Sequence, residues 1–223
     1  MQLLFNNAIF RHEPYPIGLA RPIFDTESYM ALVDSFPPID LLPHWGGEGY
    51  HKYALNERMP GYHEYLAEHP LWWAFHTSVK DKKFPEHIIS MIRSHGIDIA
   101  PSPKWTTRFE FAAMPAEGGK IAPHNDLPSK AVTLVFSILK PGEWDISAGG
   151  GLDVLEPLDP KEELRSYHAP LEKFRKAHTF EYHSNQCVIF VRSENSWHSV
   201  GPMIGTDRRM RRTITLNIER HDA

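Results

Sequence analysis

The feature that most constrains the fold is a change of hydrophobic period at Trp105. From there, large apolar side chains alternate with polar ones, as in Trp105, Phe109 and Phe111, separated by Thr106, Arg108 and Glu110. Alternation at every second residue is typical of a strand with one buried face. Further short segments of strand character follow, at 131–139, 152–155, 179–183, 186–192 and 211–220. Short strands at this spacing predict an antiparallel sandwich or jelly roll.

Upstream of this point the pattern predicts helices. Asp25 can cap a helix whose apolar residues recur at helical spacing until Pro37. Pro70 can open a second helix. Pro85 can open a third, with Gly96 as its stop. Each is amphipathic and needs a surface on which to pack.

Length and composition favour a single domain over residues 1–223. The chain has 223 residues, of which 41% are hydrophobic and 12% aromatic, enough for one substantial core. We expect a helix-rich part over 1–104 and a jelly-roll core over 105–220. The helices should pack on one face of the jelly roll.

Charge and cysteine usage exclude several classes of protein. A net charge of −4 gives no general attraction for nucleic acid or anionic membrane, so neither is expected as a partner. The sequence beginning at Met1 lacks the long apolar region of a signal peptide, and no run reaches membrane-spanning length. The single cysteine, Cys187, rules out an internal disulfide and is predicted to be a small buried residue. The expected location is cytoplasmic.

Three residues of the second half form a candidate metal site. The chain contains one His-x-Asp sequence, at His124 and Asp126, and a later histidine, His198, near the last strand. On an extended chain, residues two apart project to the same side. Two imidazoles and one carboxylate can hold one face of Fe(II) and leave the other positions for substrate and dioxygen. The remaining histidines receive no predicted role.

Four arginines lie close together at the start of the last predicted strand. Positions 208 and 209 fall in the preceding turn, and positions 211 and 212 fall on the strand. Strand alternation divides residues 211–218 into an apolar face and a polar face. The polar face should line the metal cavity, which places Arg211 inside and Arg212 outside. The polar residues are Arg211, Thr213, Thr215 and Asn217, and the apolar ones are Ile214, Leu216 and Ile218.

Taken in order, these motifs resemble the Fe(II)/2-oxoglutarate-dependent dioxygenases, in particular the prolyl-4-hydroxylase-like branch. The similarity covers roughly residues 105–220. It rests on four pieces: Ile-Ala-Pro-His-Asn-Asp at 121–126, Gly-Gly-Gly-Leu at 149–152, Asn-Ser-Trp-His-Ser-Val at 195–200 and Arg-Arg-Thr-Ile-Thr at 211–215.

The resemblance implies a double-stranded β-helix that binds Fe(II), 2-oxoglutarate and dioxygen. His124, Asp126 and His198 would be the metal ligands and the catalytic centre. Arg211, assisted by Thr213, would bind the far carboxylate of 2-oxoglutarate, because a guanidinium can grip a carboxylate with two parallel hydrogen bonds. The implied reaction is hydroxylation of an unactivated C–H bond of a small molecule or peptide, with release of succinate and carbon dioxide.

Other features leave alternatives open. Arg108 and Glu110 either face the cavity and contact substrate or are surface charges on a strand, with equal weight. The charged segment 159–178 is either a solvated connection or a lid or substrate-binding insert. A non-catalytic jelly-roll metal-binding or sensor protein, or a cupin-type metalloenzyme without 2-oxoglutarate, would use the same ligands. Arg211 with Thr213 argues against both. Substrate identity, oxidative outcome and oligomeric state stay undetermined.

Overall fold

A computed structural model describes residues 2–47, 49–159, 168–206 and 208–221. Within these residues, twelve strands form one curled antiparallel sheet. The strands are β1 (Ile9–Arg11), β2 (Ile17–Ala20), β3 (His44–Gly47), β4 (Tyr50–Asn56), β5 (Lys104–Pro115), β6 (Lys120–His124), β7 (Lys130–Ser137), β8 (Leu152–Pro157), β9 (Phe174–Phe180), β10 (Cys187–Val191), β11 (His198–Val200) and β12 (Met210–His221).

The strand order forms two walls joined through β4. It runs β1-β2-β10-β7-β12-β5-β4-β6-β11-β8-β9, and β3 pairs with β4 alone. β12 is central to the first wall, because it pairs over most of its length with both β5 and β7. The second wall contains β6, β11, β8 and β9. This curled antiparallel arrangement is consistent with the predicted jelly roll.

The four helices in the described part of the chain precede β5. They are α1 (Thr26–Asp34), α2 (Tyr62–Glu68), α3 (Pro70–Lys80) and α4 (Lys83–Ser94). The side chain of Asp25 accepts a hydrogen bond from the Ser28 amide and caps α1, as predicted. Pro70 is the first residue of α3, also as predicted. None of these helices is both long and apolar enough to cross a bilayer.

The main core lies between the helices and the first wall of the sheet. Trp72 of α3 packs edge-on against Phe111 of β5, with ring centroids 4.9 Å apart, and Phe75 packs similarly on Phe109 at 5.7 Å. The apolar residues of β12 complete this core: Ile214, Leu216 and Ile218 are all fully buried in it. Burial of each such side chain stabilises the fold by about 1.5–3 kcal/mol.

Several strands depart from the sequence prediction. The first 104 residues contribute four strands, β1 to β4, in addition to helices. These strands have three to seven residues and no sustained alternation, and they join the sheet through backbone pairing. The short helix α2 was also not predicted; it begins after Gly61, whose φ of 81° suits glycine.

The strand predicted at 179–183 is displaced. The observed strand, β9, spans Phe174–Phe180 and starts inside the segment predicted as a connection or lid. The sequence pattern did not indicate this strand because several of its residues are charged. Arg175 pairs with Glu156 of β8 at 2.7 Å, and Lys176 pairs with Asp153 at 2.9 Å. Charges of this kind are common on edge strands. Residues 160–167 of the predicted segment lie outside the described residues.

Candidate metal centre and adjoining cavity

The structure brings the three predicted metal ligands together. His124 ends β6 and lies directly opposite His198, the first residue of β11, so the two imidazole centroids are 4.2 Å apart. Asp126 follows β6 by two residues. One potential ligand atom from each of the three residues lies within 4.8 Å of the others. The site therefore forms where two paired strands meet a short loop.

Both imidazoles are oriented by backbone carbonyls. Nδ1 of His124 donates to the Ala122 carbonyl at 3.0 Å, and Nδ1 of His198 donates to the Ser196 carbonyl at 2.9 Å. Because a carbonyl oxygen can only accept, each Nδ1 carries the hydrogen and each neutral ring keeps a lone pair on Nε2. Burial lowers the pKa of His124 to about 3 and also lowers the pKa of His198. Neutral imidazoles with a free Nε2 suit divalent iron.

Asp126 is held as a carboxylate by two side chains of β7. Lys130 Nζ lies 2.5 Å from Oδ1, and the Thr133 hydroxyl donates to Oδ2 at 2.7 Å. Burial alone would raise the pKa of Asp126, but the charge of the Lys130 ammonium and its hydrogen bond outweigh burial and hold the pKa well below its usual range. The donor set of two neutral imidazoles and one carboxylate therefore fits Fe(II).

Asn125, between the two ligands of the motif, ties both ligand segments together. Its amide nitrogen donates to the carbonyls of Ser193 at 3.0 Å and Glu194 at 2.9 Å. Its amide oxygen accepts from the Ser196 hydroxyl at 2.7 Å. These bonds join the loop after β6 to the turn that precedes His198. Sequence reasoning could not predict this role, because the partners lie 68 to 71 residues further along the chain.

Arg211 lies inside the cavity, as alternation predicted, and is 4% exposed. Nε donates to the Gly150 carbonyl, and the guanidinium stacks on the ring of Tyr182 at 4.8 Å. It has no carboxylate partner among the described residues. Burial lowers its pKa to about 10, so it is charged at neutral pH. Thr213 also lines the cavity and is 3% exposed.

Arg212 faces away from the cavity, again as alternation predicted. Its guanidinium forms two hydrogen bonds with Glu143, at 2.8 and 2.9 Å, and lies over the ring of Phe36. The Gly-Gly-Gly segment at 149–151 directly precedes β8, and Gly149 and Gly150 both have positive φ. A Cβ at Gly150 would lie 3.3 Å from the Arg211 side chain, so this turn allows the arginine to approach the backbone.

The triad and Arg211 share one cavity of about 470 Å³. Arg108 and Glu110 also line this cavity. Glu110 is paired with Lys52 at 3.0 Å, and Arg108 makes a longer contact of 3.5 Å with Glu219. Whether Arg108 or Glu110 contacts a substrate stays a prediction.

Sequence reasoning missed other residues of the cavity. Lys130 projects into it because the pairing of β7 with β12 shifts register between Ile218 and Glu219. Such a bulge re-aims one side chain and leaves no periodic signal. Outside the cavity lining, His168 forms a backbone bridge with His124, and its ring lies 5.8 Å from that of Tyr50, so the middle of the 159–178 segment lies beside the site.

Comparisons with known proteins find structural likeness only. No protein-family model matches the chain, and no curated protein is similar to it. A prolyl-4-hydroxylase from Pseudomonas putida has a TM-score of 0.56 at 18% identity, covering 92% of each chain. A prolyl hydroxylase from Trichoplax adhaerens, solved with a peptide fragment of hypoxia inducible factor, has a TM-score of 0.56 at 13% identity over 92% of this chain and 83% of that one.

A third similar structure is SnoN, a non-haem α-ketoglutarate-dependent epimerase from nogalamycin biosynthesis. It has a TM-score of 0.56 at 14% identity, covering 92% of this chain and 78% of SnoN. Identities this low carry information about fold rather than activity. The sequence resemblance is thus confirmed at the level of architecture: the chain has the fold of the prolyl-4-hydroxylase-like 2-oxoglutarate and Fe(II) oxygenases.

Proposed function

We propose that this protein is an Fe(II)- and 2-oxoglutarate-dependent dioxygenase that hydroxylates an unactivated C–H bond of a small molecule or peptide. The products would include succinate and carbon dioxide. The observation that carries the proposal is Arg211, a buried cation without a carboxylate partner among the described residues, on the wall of the cavity that holds His124, Asp126 and His198.

The buried guanidinium calls for an anion. An isolated charge in an enclosed site is costly, and a hydrogen-bonded counter-ion offsets that cost. The Nε of Arg211 is occupied by the Gly150 carbonyl, which leaves its two terminal nitrogens for a carboxylate. 2-Oxoglutarate has a keto acid end that can chelate a metal and a second carboxylate at the far end. It can therefore span a triad and an arginine on opposite parts of one cavity.

The residues have separable roles in this proposal. His124, Asp126 and His198 would hold Fe(II), while Arg211 and Thr213 would orient 2-oxoglutarate. With both bound, the metal would supply dioxygen activation coupled to decarboxylation of the cosubstrate. Apolar side chains around the site limit access of water and favour charged contacts inside it. The apolar lining includes Met114, Ile121, Val135, Leu152, Phe190 and Val200.

The structural neighbours support an oxygenase. They include more than one type of reaction, so the oxidative outcome is argued from the residues of this chain. Two are prolyl hydroxylases, one of them bound to a peptide, and SnoN is an epimerase. Hydroxylation is the outcome we propose, because Asp126 retains the carboxylate ligand that halogenating relatives replace by a small residue. A peptide or small molecule would reach the metal through the open side of the cavity.

The test is succinate formation. Purified protein with Fe(II), ascorbate and 2-oxoglutarate should form succinate slowly without substrate, and faster with the right substrate. His198→Ala should abolish this turnover, whereas His183→Ala, which alters a histidine outside the cavity, should not. If Fe(II) binds to the triad and 2-oxoglutarate is neither bound nor consumed, the sensor or cupin-type alternative replaces this proposal.

A further inference from the structure

Two cationic side chains in the same cavity use only some of their N–H donors in contacts with the described residues. Arg108 and Lys130 both line it, with 30% and 17% of their side chains exposed. Arg108 has five N–H donors, and its contact among the described residues is with Glu219 at 3.5 Å. Lys130 has three donors, and one of them is used by Asp126. Each side chain therefore keeps N–H donors that are not used in these contacts.

The strand register places these two cations on either side of β12. Arg108 of β5 is opposite Asn217 of β12, which in turn is opposite Thr133 of β7. The backbones of β5 and β7 are therefore roughly 10 Å apart at this level. Lys130 starts β7, and the bulge beside Glu219 turns it toward the same space. Both side chains therefore lie on the cavity face of the first wall, on the two strands that flank β12.

The charge balance of the cavity also favours an anion. Four cations face three carboxylates here once Glu219, the partner of Arg108, is included. Fe(II) and dianionic 2-oxoglutarate would cancel each other, so one positive charge would remain. Lys52 does not supply this remaining positive charge, because its ammonium is paired with Glu110 at 3.0 Å. The cations are Lys52, Arg108, Lys130 and Arg211, and the carboxylates are Glu110, Asp126 and Glu219.

We propose that the substrate carries an oxyanion, a carboxylate or a phosphate, that binds between Lys130 and Arg108. Its apolar part would pack on Trp45 and Leu127, large side chains that line the same cavity yet are 45% and 48% exposed. This inference rests on the proposed function, since it assigns the open part of the cavity to substrate. Lys130 contacts Asp126 directly, so the oxidised carbon should lie within a few bonds of the anion.

Binding of matched probes tests the inference. Hydrocinnamate, its neutral amide and phenethyl phosphate share an apolar ring and differ in charge. Each is titrated calorimetrically into anaerobic protein loaded with Fe(II) and saturating 2-oxoglutarate, which occupies Arg211. At least one of the two anions should bind about tenfold or more tightly than the amide, as expected for hydrogen bonds to charged groups. A preference between carboxylate and phosphate identifies the anion.

Variants then locate the anion. Arg108→Met and Lys130→Met should each weaken anion binding by about tenfold or more and leave amide binding unchanged. Arg108→Lys should restore part of the affinity. Lys140→Met is the matched control, because Lys140 is an exposed lysine paired with Asp34 outside the cavity. Equal affinities for all three probes, no binding by any of them, or anion binding unaffected by both variants would overturn the inference.

The visible absorption band of the Fe(II) and 2-oxoglutarate complex distinguishes failure of the substrate assignment from failure of the proposed function. It is recorded in the same samples before the probes are added. Absence of the band contradicts the proposed function itself. A normal band without preference for the anions contradicts only the substrate assignment. The band also shows whether Lys130→Met has disturbed Asp126, which Arg108→Met should not do.

Discussion

Arg211 and Arg212 are neighbours in the sequence and have opposite environments. Arg211 is enclosed in the cavity with a carbonyl and an aromatic ring as partners, whereas Arg212 is held by Glu143 on the other face of the strand. The strand period of two explains the difference, since consecutive side chains point to opposite faces. The pair therefore offers a matched comparison within one strand.

Arg211→Ala should weaken 2-oxoglutarate binding by about tenfold to a hundredfold, because a hydrogen bond to a charged group contributes about 1.5–3 kcal/mol. Arg212→Ala and Arg208→Ala should change it little. Arg211→Lys should rescue binding only in part, since one ammonium cannot reproduce a two-pronged grip. The measurement is the apparent KM for 2-oxoglutarate of all four variants. A large defect in Arg212→Ala with none in Arg211→Ala would contradict the assignment.

Asn125 should be a positioning residue for the metal site. Asn125→Ala removes three buried hydrogen bonds between the two ligand segments and should weaken Fe(II) affinity by about tenfold to a hundredfold. Asn195→Ala is the control, because Asn195 is exposed and bonds to a carbonyl near the surface. Metal affinity is measured by competition with a chelator under anaerobic conditions. Equal affinities of the two variants would show that the network does not position the ligands.

The candidate metal ligands could be predicted from the sequence, and the residues that support them could not. His124, Asp126 and His198 stand in a recognisable order on strand-like segments. Asn125 and Lys130 act through tertiary partners or through a bulge, and neither leaves a periodic trace. The same limit applies to any residue whose role depends on distant backbone carbonyls.

At the scale of elements, β12 was predictable because its two faces meet different environments. One face packs in the main core and the other lines the cavity, so polar and apolar residues alternate from Thr213 to Ile218. β9 was misplaced because it is a terminal strand of the sheet order and carries charges. β1 to β4 were missed because short strands held mainly by backbone pairing show little pattern.

The two faces of β12 should respond differently to truncation. Leu216→Ala should lower the free energy of unfolding by about 2–5 kcal/mol, because it leaves a cavity in the main core. Thr215→Ala, on the polar face, should lower it by about 1 kcal/mol or less. Urea denaturation of both variants provides the measurement. Similar losses of stability in the two variants would contradict the assignment of Leu216 to the core face and Thr215 to the cavity face of β12.

At the scale of the whole molecule, chain topology creates the site. His124 and His198 become cross-strand neighbours only when the second wall of the sheet forms, and Arg211 reaches them from the first wall. Local periodicity predicts the strands that contribute, whereas their pairing order follows from tertiary packing. The family resemblance in the second half implied a double-stranded β-helix, but no pairing order was predicted.

The free energy of unfolding should also decrease at acid pH, and His76 should contribute to this decrease. Burial lowers the pKa of His76, which is hydrogen-bonded to the Tyr62 hydroxyl at 2.8 Å. Below its ordinary pKa of about 6.5, the unfolded chain binds a proton at His76 more readily than the folded chain, so stability falls as pH falls. His76→Gln should reduce this dependence in urea denaturation of the metal-free protein at about pH 7 and pH 5. An unchanged dependence would exclude His76 as a contributor.

The central claim is that one cavity binds Fe(II) through His124, Asp126 and His198 and 2-oxoglutarate through Arg211. The most direct measurement is an anaerobic titration of Fe(II)-loaded protein with 2-oxoglutarate, followed by visible absorption. We expect a weak band that saturates at one 2-oxoglutarate per chain, is lost in His198→Ala and needs much more 2-oxoglutarate in Arg211→Ala. No band in the wild-type protein, or a band unchanged in both variants, would contradict it.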